Sequence, residues 1–246
     1  VTIHDPAATE SGFPAYENLE DGAAAADLVM VAVPMSVCAG VLEKLAALGT
    51  RAVVAEMCSL KGHLQPLTEQ LREGGLRLVS FHPLFGPDVR MLSERTIVFC
   101  NDAKPDDLDV VRALFADTSA QLVTMSTIEH DRRMGLVLGL THLSNLVFAR
   151  ALSHSNVTAV DLAEVAGVTF NKQLRTTREV TAENPDLYYE IQTLNDLTPA
   201  TGDWLREALE EWLGVVGMGD PTAFAALMTT CNGYLDDAPK AGTPPR

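Results

Sequence analysis

The sequence is poor in basic residues: 18 lysines and arginines stand against 33 aspartates and glutamates, and the formal net charge of the 246 residues is −15. A nucleic-acid-binding surface needs clustered lysine and arginine side chains to contact phosphates. The composition therefore argues against a nucleic-acid partner, and an anionic small molecule would need a local basic pocket.

Cysteine is also scarce, and no two cysteines form a C-x-x-C pair. Isolated thiols in apolar runs usually stay reduced and behave as small hydrophobic residues. No histidine or carboxylate pair has ligand spacing such as H-E-x-x-H, so we predict no metal site. The four cysteines are Cys38, Cys58, Cys100 and Cys231.

Long apolar runs are missing as well. We find no 18-residue apolar stretch and no basic segment followed by a short apolar one, so we predict neither a membrane span nor a secretory signal. A cytoplasmic protein with no membrane partner is expected. The first residue is Val1 rather than methionine, from which we expect that the sequence is truncated at its start.

The first half of the chain alternates strand and helix patterns. Short β-branched or apolar segments predict strands, and the segments between them show helical spacing. This alternation predicts an α/β fold in which residues 1–125 form a Rossmann-like parallel sheet domain for dinucleotide binding. The predicted strands are 1–5, 26–33, 51–56, 76–81, 96–100 and 122–125, with helices at 37–48, 60–74 and 105–115.

The second half is helical in pattern, and we assign residues 126–235 to a helical domain. Its first helix, 129–153, is apolar nearly all round, which is typical of a helix buried in a bundle or a dimer. Residues 236–246 contain three prolines and no apolar pattern, so a disordered tail is predicted. The other predicted helices are 159–165, 170–183, 185–197 and 199–218.

Three polar segments follow predicted strands, where an open α/β sheet binds its ligands. His82, beside a rigid proline and glycine loop, is placed for general acid or base chemistry, or is a plain loop histidine. Ser59 is a functional hydroxyl or the N-cap of a helix starting at Leu60. Lys61 binds a ligand or is a solvated helix residue. The segment 129–131 belongs to the site or is an ordinary helix start with acids in its first turn.

Taken together, these segments resemble the prephenate dehydrogenase family, which includes arogenate and 4-amino-4-deoxyprephenate dehydrogenases. The motifs keep their order over almost the whole chain. They are Val31-Ala32-Val33-Pro34, Ser59-Leu60-Lys61, His82-Pro83-Leu84-Phe85-Gly86-Pro87, Glu129-His130-Asp131, Leu140-Thr141-His142, Asn184-Pro185-Asp186-Leu187-Tyr188, Glu190-Ile191-Gln192 and Asn195.

The resemblance implies that prephenate, a cyclohexadiene, is oxidised by hydride transfer to a nicotinamide while the ring carboxylate leaves as carbon dioxide. It implies that His82 accepts the proton of the substrate's 4-hydroxyl and that Ser59 fixes the hydroxyl and the imidazole. Lys61 and His142 are implied as binding residues of the cleft.

The same resemblance implies how the cofactor and the partner bind. Asp5 matches the acidic residue that accepts hydrogen bonds from the adenosine ribose, which favours NAD over NADP. Val33 and Pro34 match the wall beside the nicotinamide half. The helical domain is implied to form a homodimer and to complete the substrate site.

One departure concerns the arginine that pairs with the ring carboxylate in this family. Counting back six residues from Pro185 gives Glu179, and Arg178 is one position out of register. Arg178 or Arg175 then reaches the carboxylate differently, or the substrate differs. An amino-substituted prephenate is one alternative, because Glu179 would meet its ammonium group.

The other departure is that no G-x-G-x-x-G turn precedes Asp5, although that turn holds the cofactor pyrophosphate. We expect that a preceding segment supplies it. The alternative of another class is a catalytically silent homologue that binds an aromatic precursor or serves as a dimerising partner.

Overall fold

A computed structural model describes residues 1–6, 12–86 and 89–236. Pro87 of the His82 motif and all of the predicted tail except Asp236 lie outside these residues. The chain divides into two compact units, residues 1–198 and residues 199–246. The change from alternating to helical structure falls near Met125, and a domain boundary there remains our proposal.

The first unit is built on a five-stranded, mostly parallel sheet in the order β1-β2-β3-β4-β5. β1, β2 and β3 are parallel, β4 runs antiparallel to β3, and β5 is parallel to β4. The Rossmann-like α/β sheet is thus confirmed, but the reversal at β4 was not anticipated. The described residues between β3 and β4 contain no helix that could make a parallel crossover. The strands are Leu28–Val31, Val53–Glu56, Leu78–Pro83, Thr96–Cys100 and Gln121–Met125.

The predicted strand at residues 1–5 is wrong in the described structure. Ile3 forms only an isolated bridge with Ala15, closed by hydrogen bonds from the Ile3 amide to Pro14 (2.9 Å) and from the Tyr16 amide to Ile3 (2.8 Å). A β-branched pattern without a neighbouring strand gives no ladder, so the segment stays irregular.

Two apolar clusters cover the two faces of the sheet. In β2, Val54 packs in one cluster with Leu42 and Leu45, whereas Val53 and Ala55 pack in the other. Alternate residues of a strand face opposite sides, and a strand covered on both faces is apolar throughout. The helices of this part are α1 (Leu19–Ala25), α2 (Met35–Ala47), a 3-10 helix (Gly62–Leu64), α3 (Gln65–Glu73) and α4 (Pro105–Ala113).

The helical part starts with one continuous helix over Thr127–Ser153. It consists of α5 (Thr127–Met134), a π-helical turn (Gly135–Leu140) and α6 (Thr141–Ser153). α7 (Ala159–Glu164), α8 (Val168–Ala182) and α9 (Pro185–Thr193) follow, then α10 (Thr198–Met218) and α11 (Pro221–Asp236). The sequence pattern predicted these helices to within a few residues, except for α1, α11 and the π turn.

By length and composition, the helix Thr127–Ser153 could cross a membrane: its mean hydropathy is 1.3 over an 18-residue window. The expectation of no such segment was therefore too strong. The helix packs against α8 and carries buried His130 and Asn145, and 17% of its apolar window is buried within the described structure.

Candidate active site

The sequence predicted that His82 lies in the loop after a strand. The structure instead places it inside strand β3. Its backbone pairs with Val98 of β4, and the residue is 5% exposed. β1, β2 and β3 are parallel, so their carboxyl ends meet at one edge of the sheet, where open α/β sheets bind ligands. His82 stands at that edge.

His82 is the end of a hydrogen-bonded chain of three side chains. Its Nδ1 atom lies 3.0 Å from Nε2 of His130, and Nδ1 of His130 lies 2.7 Å from Oδ1 of Asp131. His130 is fully buried. The structure therefore joins the predicted segment 129–131 to the predicted histidine, across 48 residues of sequence.

Asp131 also holds the loop that follows β2. Its carboxylate accepts hydrogen bonds from the backbone amides of Lys61 (2.9 and 3.1 Å) and Gly62 (2.6 Å). A Cβ on Gly62 would lie 2.9 Å from Oδ2 of Asp131, so a larger residue here would displace the Asp131 carboxylate. Burial opposes ionisation of Asp131, but the hydrogen bonds from His130, Gly62 and Lys61 outweigh it and lower its pKa. The carboxylate is thus an ionised acceptor.

An ionised Asp131 sets the proton positions along the chain. It can only accept, so His130 must donate from Nδ1, and a neutral His130 then offers the Nε2 lone pair. Nδ1 of His82 donates to that lone pair. The remaining nitrogen of His82, Nε2, is left without a proton and can act as a base.

Lys61 and Glu56 form a buried ion pair beside this chain. The Lys61 ammonium lies 2.9 Å from both carboxylate oxygens of Glu56 and 2.7 Å from the Phe81 carbonyl oxygen, and both side chains are 1% exposed. Burial, followed by the charge of Lys61 and the proximity of His130, lowers the pKa of His82 well below its usual value. His82 is therefore neutral at neutral pH.

Ser59 lies in the loop between β2 and the 3-10 helix, two residues before Lys61. It is half-buried, and it is not a helix cap, because the 3-10 helix begins after Lys61 without a side-chain cap. Its hydroxyl makes no hydrogen bond within residues 1–6, 12–86 and 89–236. Since Asp131 ties this loop to the histidine chain, Ser59 and His82 belong to the same edge of the sheet.

His142, at the start of α6, stacks on Tyr188 of α9. The ring centroids are 4.3 Å apart and the planes differ by 22°. The Nδ1 atom of His142 is buried without a hydrogen-bond partner, and burial lowers the pKa of its imidazole. One face and one nitrogen of the ring are thus enclosed.

The candidate arginines lie on α8, where Arg175, Arg178 and Glu179 are all exposed. Within the described residues, neither arginine side chain forms an ion pair or a hydrogen bond. Arg178 lines a largely apolar cavity of about 280 Å³ between α6, α7 and α8. The structure does not join these side chains to the histidine chain.

The predicted cofactor residues lie at two places. Val33 is half-buried against an apolar cluster, and Pro34 precedes the first turn of α2; both follow β1 at the carboxyl edge. Asp5 is exposed near the start of the chain. An apolar wall and a carboxylate acceptor are the groups that suit a nicotinamide ring and a ribose, so the residues present fit a dinucleotide.

One group of side chains has the composition of a metal site. Ligand atoms of Cys38, Glu56 and Cys58 lie within 4.8 Å of one another. However, Glu56 is already paired with Lys61, and the hydrogen bond with Cys38 and burial raise the pKa of the Cys58 thiol. The absence of a metal stays a prediction.

The sequence did not indicate that Asp131, His130 and His82 form a hydrogen-bonded chain. It also did not indicate the buried ion pair of Glu56 and Lys61. It also gave no role to Asn195, whose side chain donates to the Asp131 carbonyl oxygen (2.8 Å). Asn195 appeared in the sequence only as a motif residue, because its partner is 64 positions away.

Comparison with known proteins gives a consistent result for both halves of the chain. Residues 6–124 match the family model of the prephenate dehydrogenase nucleotide-binding domain, and residues 126–230 match that of the prephenate dehydrogenase dimerization domain.

Among curated proteins, the T-protein of Enterobacter agglomerans is 23% identical over 215 residues, which are 87% of this chain and 57% of that protein. The chain thus spans little more than half of that relative. The 4-amino-4-deoxyprephenate dehydrogenase of Streptomyces pristinaespiralis is 29% identical over 87% of this chain and 72% of its own length.

The fold is that of solved dehydrogenase structures. Prephenate dehydrogenase from Aquifex aeolicus, in complex with hydroxyphenyl propionate and NAD+, superimposes with a TM-score of 0.71 at 19% identity, over 92% of this chain and 82% of that one.

Proposed function

Because the chain belongs to the prephenate dehydrogenase family, we propose that it oxidises prephenate to 4-hydroxyphenylpyruvate with NAD. The single observation that carries this proposal is the chain from Asp131 through His130 to His82. It prepares one imidazole nitrogen as a base at the edge of the sheet where a cofactor of this fold binds.

In the proposed reaction, Nε2 of neutral His82 takes the proton of the substrate's 4-hydroxyl. A nicotinamide bound there would supply the hydride acceptor, and loss of the ring carboxylate as carbon dioxide would complete the conversion to 4-hydroxyphenylpyruvate. His130 and Asp131 keep His82 in the required tautomer, and the hydroxyl of Ser59 hydrogen-bonds to the substrate oxygen. A positioned base of this kind typically contributes about 10²–10⁴-fold in rate.

We assign the neighbouring residues to binding and positioning. Lys61 is held by Glu56 and by the Phe81 carbonyl, so it acts here by keeping His82 neutral and by ordering the Ser59 loop. His142 binds substrate, and Arg175 or Arg178 supplies the charge for the ring carboxylate. Val33, Pro34 and Asp5 hold the cofactor, and the Asp5 carboxylate disfavours a 2′-phosphate.

Two observations favour a second candidate substrate. The 4-amino-4-deoxyprephenate dehydrogenase of Streptomyces pristinaespiralis shares 29% identity with this chain, more than the T-protein of Enterobacter agglomerans at 23%. Glu179 is exposed at the position where an arginine was expected. The alternative substrates are therefore 4-amino-4-deoxyprephenate, whose ammonium suits a carboxylate, and arogenate.

We further propose a homodimer formed through the helical part. The second half matches a dimerization domain, and large apolar side chains are exposed on α10 and α11. Exposed large apolar side chains that lie close together are typical of interfaces. They include Leu209, Leu213, Val216, Met228 and Leu235.

The test, made on the full-length gene product, is the absorbance of reduced nicotinamide with prephenate, arogenate and 4-amino-4-deoxyprephenate, each with NAD and with NADP. We expect turnover with prephenate and NAD, and loss of turnover but retained cofactor binding in His82→Asn. A matched control is His154→Asn, an exposed histidine outside the site. No turnover of any substrate would favour the silent homologue, and preference for the amino substrate would replace prephenate.

A further inference from the structure

The helix that carries both His130 and His142 is interrupted by a π-helical turn between them. The turn spans Gly135–Leu140, and the Thr141 amide bonds to the Leu136 carbonyl, five residues back. A π turn thus accommodates about one residue more than an α turn does. Such turns are costly for an isolated helix and often occur at functional sites.

The extra residue changes which way His142 faces. Each residue of an α-helix turns by about 100°, so two residues twelve positions apart would lie about 120° apart around a regular helix. If the π turn absorbs one residue, the difference falls to about 20°. His130 and His142 then lie on nearly the same face of the helix.

Helix α9 contacts both the π turn and His142. The side-chain amide of Gln192 donates to the carbonyl oxygen of Gly139, inside the turn (3.1 Å). Tyr188, one turn earlier on α9, provides the ring that stacks on His142. Ile191 of the same helix is buried in the apolar cluster of the first unit, which fixes α9 in place.

The turn is also held at its first residue. A Cβ on Gly135 would lie 3.1 Å from the Cβ atom of Leu197, so the chain around Asn195 packs closely there. Asn195 meanwhile bonds to the Asp131 carbonyl oxygen. The π turn is therefore held by two contacts, the hydrogen bond from Gln192 to Gly139 and the packing of Gly135 against Leu197. Neither contact involves His142.

We propose that Tyr188 and Gln192 are positioning residues, which keep the π turn and the His142 ring so that His142 faces the same side as the His82–His130 chain. This rests on the proposed function, in which His142 binds the substrate. Tyr188 fixes the plane of the ring, and Gln192 hydrogen-bonds to the carbonyl oxygen of Gly139 inside the π turn. Neither side chain needs to touch the substrate.

The experiment compares Tyr188→Leu, Tyr188→Phe and Gln192→Leu in the full chain. A ring stack contributes at most about tenfold in binding, so we expect Tyr188→Leu to raise KM by up to about tenfold with little change in kcat. A single hydrogen bond contributes less than about tenfold, so we expect Gln192→Leu to raise KM by less than about tenfold, again with little change in kcat. Tyr188→Phe keeps the ring and should restore KM. Gln173→Leu, which removes a side-chain amide bonded to Asn145 on α6, is the matched control and should leave KM near its starting value.

A double-variant cycle separates positioning from general destabilisation. In a His142→Asn background, Tyr188→Leu should change KM no further, because the ring it holds is gone. An equal rise in KM in both backgrounds would overturn the proposal.

A readout without turnover distinguishes this proposal from the proposed function. In protein labelled at histidine, NMR should show that Tyr188→Leu shifts the His142 ring protons downfield, because the ring current of Tyr188 is lost. An unchanged His142 signal would overturn the positioning role even in an active enzyme. A wild type that oxidises none of the three cyclohexadienes would overturn the proposed function, while the NMR result would still decide the position of His142.

Discussion

The Nδ1 atom of His82 faces Nε2 of His130 at 3.0 Å, and this contact gives His130 control over the proton of His82. A hydrogen bond between two imidazoles contains one proton, so its direction decides which nitrogen of His82 is basic. That direction is set one residue further along, by Asp131.

Asp131→Asn should therefore inactivate the enzyme without removing a group that touches substrate. The asparagine amide can donate to Nδ1 of His130, which reverses both tautomers and places a proton on Nε2 of His82. We expect kcat to fall about 10²–10⁴-fold, the size of a general-base contribution. Steady-state kinetics at neutral pH measures the effect.

A carboxylate of similar burial serves as the control for Asp131. Asp107 is 5% exposed and pairs with Arg77 at 2.7 Å, on a helix that does not carry the histidine chain. Asp107→Asn should lower stability but leave kcat within about threefold. If the two variants lose kcat equally, the tautomer argument fails.

The sequence predicted most of the fold because the decisive patterns are local. Apolar runs such as Val53–Glu56 and the helical spacing of α2 need no knowledge of partners. The reversal of β4 and the loss of a strand at residues 1–5 depend on which segments pair, and pairing is a long-range property that propensity does not contain.

The candidate site was predictable in its residues but not in its connections. His82 lies near the end of β3 and Ser59 follows β2, so their position at the carboxyl edge of these parallel strands could be inferred. The segment 129–131 follows β5, which runs opposite to β3, so its arrival at the same edge could not be inferred. Lys61 shows the limit: a lysine is normally solvated, and only the adjacent strands β2 and β3 reveal that Glu56 and the Phe81 carbonyl enclose its ammonium.

Lys61→Met should destabilise the protein strongly. It leaves Glu56 as a buried carboxylate without its partner, which typically costs about 3–5 kcal/mol. The free energy of unfolding in urea measures this loss. The double variant Glu56→Gln/Lys61→Met removes both charges and should recover a large part of the stability; no recovery would show that the pair matters through packing alone.

Stability should also decline as the pH falls below about 6.5, the usual pKa of histidine. Burial, Lys61 and His130 lower the pKa of folded His82, so the unfolded chain binds a proton that the folded chain does not. The unfolded state is then favoured by up to about 1.4 kcal/mol per pH unit until the folded pKa is reached. Thermal unfolding between about pH 7.5 and pH 5.5 tests this window.

The variant His82→Asn should weaken this pH dependence, because it removes the group that titrates differently in the two states. The control is again His154→Asn. Because the His154 side chain is exposed, this variant should leave the change of stability with pH as it is in the wild type. An identical slope in His82→Asn would assign the pH dependence to other groups, such as His63 and His142, whose pKa values are also lowered by burial.

Deleting Val137, an exposed residue within the π turn, tests the register of the long helix. If the turn holds one extra residue, removing that residue restores a regular α-helix. His130 and His142 are then eleven positions apart, which places them about 20° apart around the helix, as before the deletion. We expect circular dichroism to show a folded protein and KM to rise less than about tenfold, since His142 still faces the site and at most the hydrogen bond between Gln192 and Gly139 is lost.

Inserting an alanine after Val137 is the opposite change in the same place. It turns the helix after it by a further 100° or so, which carries His142 away from the face of His130 and breaks its stack on Tyr188. We therefore expect the insertion to raise KM far more than the deletion does, at comparable helix content. If the deletion raised KM as much as the insertion does, the irregular backbone of the turn itself would be needed at the site. The direction that the turn gives to His142 would then not be its main contribution.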